Sequence, residues 1–270
     1  MPEALRVCAL YPDLLNIYAD RGNLLVLERR CAWRGIGFEL ATSSLGDGLD
    51  GRAHDIYYLG GGQDRDQQLC AEDLIENKQE ALREAAGRGA VVLGVCGGYQ
   101  LLGHSYTLGD QQIAGVGLLD VRTVREEGPR LIGNVAIEIG EALGEPGTRR
   151  VLAGFENHGG RTTLGPGQRS LGRVLAGHGN DGRSGFEGAI SSTTIGTYLH
   201  GPLLPKNVWF ADWLIATALG APAATLRPLD DALEEATHAD AERVAGIAPG
   251  ARAQTAAFPG AGDAHRASAL

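Results

Sequence analysis

A chain of 270 residues with 43% hydrophobic and 21% charged side chains can bury the core of one large domain or two small ones. Its formal net charge of −9 argues against nucleic acid or an anionic membrane as the main partner, since both need clustered Lys and Arg, but leaves room for a local cation that holds a small anion. The four cysteines, Cys8, Cys31, Cys70 and Cys96, have neither C-x-x-C nor zinc-ligand spacing, so no metal site and no disulfide framework are expected.

The start of the chain, Met1 to Tyr11, lacks the regions of a signal peptide, and Leu5–Tyr11 reads as a first strand. Leu24–Arg34 has a helical mix stopped by Gly35, and Ile36–Ala41 and Asp55–Leu59 read as strands. Ala71–Arg88 is a long helix with Gly87 and Gly89 near its end. Ala90–Val95 is a short, fully apolar run of the kind covered on both faces in a parallel sheet. This alternation predicts an α/β fold: three layers, αβα, around a mostly parallel sheet.

After about residue 110 the texture changes. Val121–Arg125, Arg130–Ile139, Arg150–Phe155, Arg161–Leu164, Leu171–Leu175 and Thr194–Leu199 are short alternating segments between Gly-rich turns. They predict antiparallel strands that extend the sheet or wrap one edge. Pro205–Leu219 is a closing helix. The apolar run Val208–Ala221 is broken by Asp212 and too short to span a bilayer, so a soluble, cytoplasmic protein is expected. The reading divides the chain into a domain over 1–220 and an Ala/Pro/Gly-rich tail over 221–270. Asp230–Ala245 is expected to form one acidic helix, and Ala248–Leu270 to be disordered.

One segment carries chemistry. In Ala90-Val-Val-Leu-Gly-Val-Cys-Gly-Gly-Tyr-Gln-Leu-Leu-Gly103, an apolar strand runs into Cys96 and a helix-forming stretch follows at once. Gly94 and Gly98 flank the cysteine where a sharp strand-to-helix turn admits only small residues. Such a turn lifts the sulfur to the carboxyl edge of the sheet, where open α/β folds bind ligands, and sets it at a helix N-terminus that favours thiolate. The competing readings are a buried structural cysteine and a phosphate-cradling turn. No Lys follows in the position a phosphate loop requires. The other three cysteines read as packing residues.

Gly94-Val-Cys-Gly-Gly-Tyr-Gln100 resembles the nucleophile motif of class I glutamine amidotransferases, in the cobyric-acid-synthase-like branch. In that family a catalytic His ends a late strand, which matches His200 in Thr197-Tyr-Leu-His-Gly-Pro-Leu-Leu-Pro205. Tyr11–Asn23, Tyr58–Asp64, Arg130–Asn134 and Phe155–Arg161 further resemble the glutaminase subunits of lipid II isoglutaminyl synthases, over roughly residues 5–220. That resemblance implies a class I amidotransferase fold and hydrolysis of glutamine by Cys96 and His200. It also implies a Mur-ligase-like synthetase partner (MurT in that family) that carries ATP and Mg and amidates the D-glutamate of lipid II in peptidoglycan synthesis. No cofactor is expected in this chain.

The chemistry is acyl transfer, whose oxyanion needs two fixed N–H donors. Gly97 is expected to supply one and the Gly60-Gly-Gly62 loop the other, through Gly61 or Gly62; the plainer reading of that loop is a flexible strand-end turn. Arg130 is assigned by resemblance to the α-carboxylate of glutamine, for which its planar fork is suited. Gln100, one helical turn past Cys96, either contacts the substrate amide or is a satisfied polar residue. Asn157 and His158 either line the pocket or ammonia exit or form a turn. Tyr11–Asn23 shapes the pocket or a partner interface. Class I amidotransferases carry a Glu two residues after the His; here Pro202 stands there and the next acid is Asp212, so the site reads as a dyad. A carboxylate from the partner completes it, or none is needed.

Two rival functions follow. The chain could serve another acceptor such as a corrinoid acid, though no Walker-type loop is present, which puts any ATP-using step on another chain. It could instead be a non-catalytic scaffold, against which the retention of both Cys96 and His200 argues.

Overall fold

The computed structural model describes residues 4–17, 20–108, 110–139, 143 and 150–247. In chain order, β1 (Ala4–Leu10) leads to α1 (Arg21–Arg34), which ends where Gly35 turns left-handed at φ 71°. Next come β2 (Gly37–Ser43) and β3 (Ile56–Leu59). The predicted long helix starts earlier than its apolar periodicity suggested and has two parts. These are α2 (Asp64–Asp73) and α3 (Gln79–Gly87), joined by a π turn over Leu74–Lys78. The π turn brings Lys78, fully buried, onto Asp73, which also accepts from the Tyr11 hydroxyl and the Gly46 N–H. Then follow β4 (Val91–Val95), buried at every position, and the short α4 (Gly97–Leu102).

The second half holds β5 (Ser105–Leu108), β6 (Gln111–Ala114), β7 (Val121–Arg125), β8 (Leu131–Glu138), β9 (Val151–His158), β10 (Gly160–Leu164) and β11 (Gly172–Ala176). After them come β12 (Phe186–Glu187), β13 (Ala189–Ser191), β14 (Thr194–Thr197), α5 (Leu203–Lys206), α6 (Val208–Ala218) and α7 (Ala232–Val244).

The central sheet has the order β13-β14-β4-β3-β1-β2, parallel except for β13. From β1 the chain moves outward through α1 to β2, and from β3 it moves the other way through α2 and α3 to β4. Right-handed crossovers therefore place α1 on one face and α2–α3 on the other, giving the expected three layers. The strand order reverses between β1 and β3, and the crevice beyond their carboxyl ends is where such sheets bind ligands.

Of the segments expected to be antiparallel, Thr194–Leu199 instead supplies the central-sheet strand β14, parallel to β4, and the antiparallel extension of that sheet is β13. The other strands of this half form two separate four-stranded sheets, β10-β7-β5-β6, in which β5 and β7 run parallel, and β12-β11-β8-β9, antiparallel throughout. Alternation explains the departure: β7 and β8 expose every second residue over part of their length, and a wet face does not fit inside a sheet covered on both sides.

The single closing helix expected over Pro205–Leu219 is also divided. Asn207 breaks it because its side chain bonds Ala153 N–H and C=O and the Leu203 carbonyl, tying the helix to β9. The first part of the tail packs on the domain. Arg30, about 1% exposed, is gripped by Asp212 of α6 and Asp231 just before α7, and the His238 ring bonds the Lys206 carbonyl. The predicted acidic helix is α7; Ala248–Leu270 lies outside the described residues. No helix among the described residues is long and apolar enough to cross a membrane.

Candidate active site

Cys96 stands where β4 becomes α4, with φ 53° and ψ −105°, a left-handed backbone that a side-chain-bearing residue rarely adopts. The turn is enforced sterically. A Cβ on Gly98 would sit 2.3 Å from the Leu59 carbonyl oxygen of β3, and one on Gly94 would sit 2.8 Å from the Gly98 backbone. The Gly98 N–H bonds the Gly60 carbonyl at 3.0 Å, locking the start of α4 to the end of β3. The Cys96 N–H donates to the Thr197 carbonyl at 2.8 Å, so the end of β14 is fixed beside the nucleophile turn. Three residues later that strand end delivers His200. Its backbone is held on its other side by two hydrogen bonds to Phe155 of β9, each 3.0 Å. Because β4 and β14 are adjacent parallel strands, Cys96 and His200 both follow the carboxyl ends of neighbouring strands, at one edge of the sheet.

Electrostatics corrects the expectation of a resting thiolate. Burial, with the nearby Asp20 carboxylate, pushes the Cys96 thiol up to about 12, against the opposing pull of the Gly97 N–H and Arg130. A six-residue helix supplies too small a dipole to reverse that. His200 is lowered to about 4 by burial and by His158, Lys206 and Arg130, all basic groups. Burial thus favours the uncharged form of each group. Asp212 cannot serve His200, because its carboxylate is spent on Arg30 and Arg34.

The Gly60-Gly-Gly62 loop is not slack. A Cβ on Gly60 would lie 2.2 Å from the Leu15 carbonyl, and one on Gly62 2.5 Å from the Leu15 side chain, so the segment after β1 runs tightly against it. The Gly62 amide nitrogen approaches Gly97, and a Cβ there would stand 3.1 Å from it. Gly61 and Gly62 thus lie beside Cys96 and Gly97, but the Gly61 N–H is engaged: it donates to Asp20 Oδ2 at 2.6 Å.

The remaining candidates divide. Arg130 is exposed and donates to Asn157 through its side-chain oxygen and its carbonyl, both at 2.7 Å, and its charge acts on both Cys96 and His200. Asn157 therefore holds Arg130. His158 is buried, bonds the Gly160 carbonyl through Nδ1 and stacks on the Tyr198 ring at 3.6 Å. Gln100 is consumed within the protein, its oxygen accepting from Gln67 and its NH₂ donating to the Tyr198 hydroxyl. Of its two readings, the satisfied polar residue describes it. The sequence reading missed this network, in which Tyr198, Thr162 and Thr123 link hydroxyl to hydroxyl behind the site. It also missed Glu187, fully buried on β12, which accepts from Thr197 Oγ1 at 2.9 Å and Tyr198 N–H at 2.6 Å. No spacing rule marks such residues, but Asp20 lay within the Tyr11–Asn23 motif. Among the described residues no group of three His, Cys, Asp or Glu side chains could hold a metal ion.

A cysteine on a strained strand-to-helix turn, with a histidine beyond the end of the next strand and a glycine loop beside the cysteine, fits the amidotransferase class of α/β proteins. The chain belongs to the family of CobB/CobQ-like glutamine amidotransferase domains, whose profile matches residues 6–208. It is 37% identical over 219 residues to the lipid II isoglutaminyl synthase (glutamine-hydrolyzing) subunit GatD of Streptococcus pneumoniae, covering 81% of this chain and 82% of that protein. To the subunit of the same name from Staphylococcus aureus it is 39% identical over 207 residues, covering 76% and 81%. Among solved structures, that of PurLQS from Thermotoga maritima matches with TM-score 0.53 at 20% identity, covering 73% of this chain and 87% of that one, a likeness of fold.

Proposed function

We propose that this chain is the glutamine-hydrolysing subunit of a lipid II isoglutaminyl synthase, with Cys96 as nucleophile and His200 as proton carrier. The observation that carries the reading is the strained left-handed backbone of Cys96, pinned between Gly60 and Thr197. In the reaction the Cys96 sulfur bonds to the carboxamide carbon of glutamine while the thiol proton passes to His200. The carbon–nitrogen bond then breaks, His200 protonates the leaving group, and ammonia departs. Water, deprotonated by His200, cleaves the glutamyl thioester to release glutamate and restore the thiol. Because burial favours the uncharged form of each group, proton transfer accompanies attack. Gly97 and a donor of the Gly61–Gly62 loop receive the oxyanion, and Arg130, braced by Asn157, holds the substrate's α-carboxylate.

The ammonia goes to a synthetase partner of the Mur-ligase type, MurT, which brings ATP and Mg and amidates D-glutamate of the lipid II stem peptide. A carboxylate from that partner orients His200, or none is needed; Asp212, the next acid after it in the chain, is committed to two arginines. The test is co-purification with the synthetase, followed by glutaminase and lipid II amidation assays. Both activities are expected together, and Cys96→Ala and His200→Ala should each abolish them. Glutamine hydrolysis unchanged in Cys96→Ala would overturn the assignment, and an isolated subunit as fast as the complex would overturn partner completion.

A further inference from the structure

Leu14, Leu15, Ile17 and Asp20 lie against the Gly60–Gly62 loop, at the crevice beyond β1 and β3 where a ligand belongs in this topology. What occupies it is a side chain of the protein. Asp20 stands at the N-cap position of α1, where an Asp ordinarily accepts from the first-turn amides, yet it makes no such bond. It turns instead onto the Gly61 N–H at 2.6 Å. Asp20 is about 1% exposed, and its other oxygen, Oδ1, is buried with no hydrogen-bond partner among the described residues. A buried carboxylate with an orphaned oxygen is unfavourable, and a structural role does not call for it.

The geometry gives the carboxylate a chemical meaning. A Cβ built on Gly61 would lie 3.3 Å from Asp20 Oδ2 and 3.3 Å from the Cys96 Cβ, so carboxylate and nucleophile border the same glycine. An anionic oxygen on a backbone N–H beside the nucleophile is what the tetrahedral intermediate presents to an oxyanion donor.

We propose that Asp20 is an internal cap on the Gly61 oxyanion donor, that the substrate-free chain is held inactive by it, and that turnover requires the carboxylate to leave that amide. The proposal rests on the glutaminase reading above. It also accounts for the glycines at 60 and 62, which let Leu14, Leu15 and Asp20 lie close enough for the cap to form.

Two variants and one wild-type measurement test it. In the isolated chain, Asp20→Ala should raise the glutaminase rate and the labelling of Cys96 by a diazo-ketone analogue of glutamine at least about tenfold, one donor being worth roughly 10²–10³ in rate elsewhere. Asp20→Asn, which keeps a neutral oxygen to accept from Gly61, should fall between Ala and wild type. Labelling by iodoacetamide, which forms no oxyanion, should change far less. The wild-type chain labelled by the analogue should show, in a crystal structure, the adduct oxygen on the Gly61 N–H and Asp20 displaced. That measurement stands even if a variant fails to fold. Folded variants slower than wild type, or an adduct formed with Asp20 still on Gly61, would overturn the cap and leave the glutaminase reading intact. Absence of both labelling and hydrolysis in every form, with and without a synthetase partner, would overturn both.

Discussion

The two halves of the site are built by different means. Around Cys96 position is set by backbone against backbone: Gly98 on Leu59, Gly94 on Gly98 and Gly60 on Leu15 approach too closely for a Cβ. Around His200 it is set by buried polar groups: two backbone bonds to Phe155, the Glu187 carboxylate under Thr197 and Tyr198, and the Tyr198–Thr162–Thr123 chain behind them. Steric construction tolerates no added atom and is indifferent to pH. Polar construction tolerates isosteric change and titrates.

The sharpest test of that contrast is Gly98→Val. Its side chain would start 2.3 Å from a carbonyl of a central strand, and neither β3 nor α4 can retreat inside a sheet covered on both faces. Loss of the folded, soluble protein and of all glutaminase activity is expected, read by circular dichroism and by ammonia release. A folded, active Gly98→Val would show that the turn is not steric in origin.

Glu187→Gln probes the other half. Burial raises Glu187 from 4.5 to about 8, against the bonds from Tyr198 and Thr197. The native state therefore holds this proton when the unfolded chain has released it. Native protein binds more protons between those values, so wild-type stability should fall as pH rises from about 5 to 8, by roughly 3–5 kcal/mol from this group. The amide keeps the same shape, can accept from Tyr198 and donate to Thr197, and carries no proton to lose. Its denaturant midpoint should fall less over that range, leaving the smaller decline due to Asp20, itself raised to about 7 by burial. Equal slopes in the two proteins would remove Glu187 as the titrating group.

This division also decides what the sequence reveals. Steric construction leaves a signature, because glycines at 60–62, 94 and 98 stand out around a lone cysteine, and the parallel strands announce themselves as apolar runs. Polar construction is silent: Glu187, Thr162 and Tyr198 sit in short strands whose sheet assignment depends on partners far away in the chain. For the same reason the antiparallel strands were legible as strands but not as two separate sheets. Gln100 could be placed on a helix one turn past the nucleophile, yet only its neighbours Gln67 and Tyr198 show it to be consumed. The break at Asn207 was hidden likewise, being made by a side chain reaching across to Ala153.

Arg130 lies between the halves, exposed and braced by Asn157. Arg130→Lys keeps the charge but loses the fork that can hold Asn157 and a carboxylate together. The expected result is a KM for glutamine raised about tenfold, roughly 1.4 kcal/mol, with kcat changed much less. Steady-state kinetics would decide it, and an unchanged KM would dissociate Arg130 from the α-carboxylate.

The smallest effect is expected farthest from the chemistry. Asp231 shares Arg30 with Asp212, and α7 reaches the segment after His200 through the bond between His238 and the Lys206 carbonyl. Asp231→Ala leaves Arg30 neutralised by Asp212, so the buried cation is not stranded and the loss should be about 1–2 kcal/mol, a fall of roughly 3–6 °C in Tm. Because the His200 backbone is held by β9, and not by α7, kcat should barely move while protease cleavage within Ala232–Val244 accelerates. A large fall in kcat with little change in Tm would mean the opposite. The polar half of the site would then extend through Lys206 into the C-terminal helix, and the segment beyond residue 220 would belong to the machinery that positions His200.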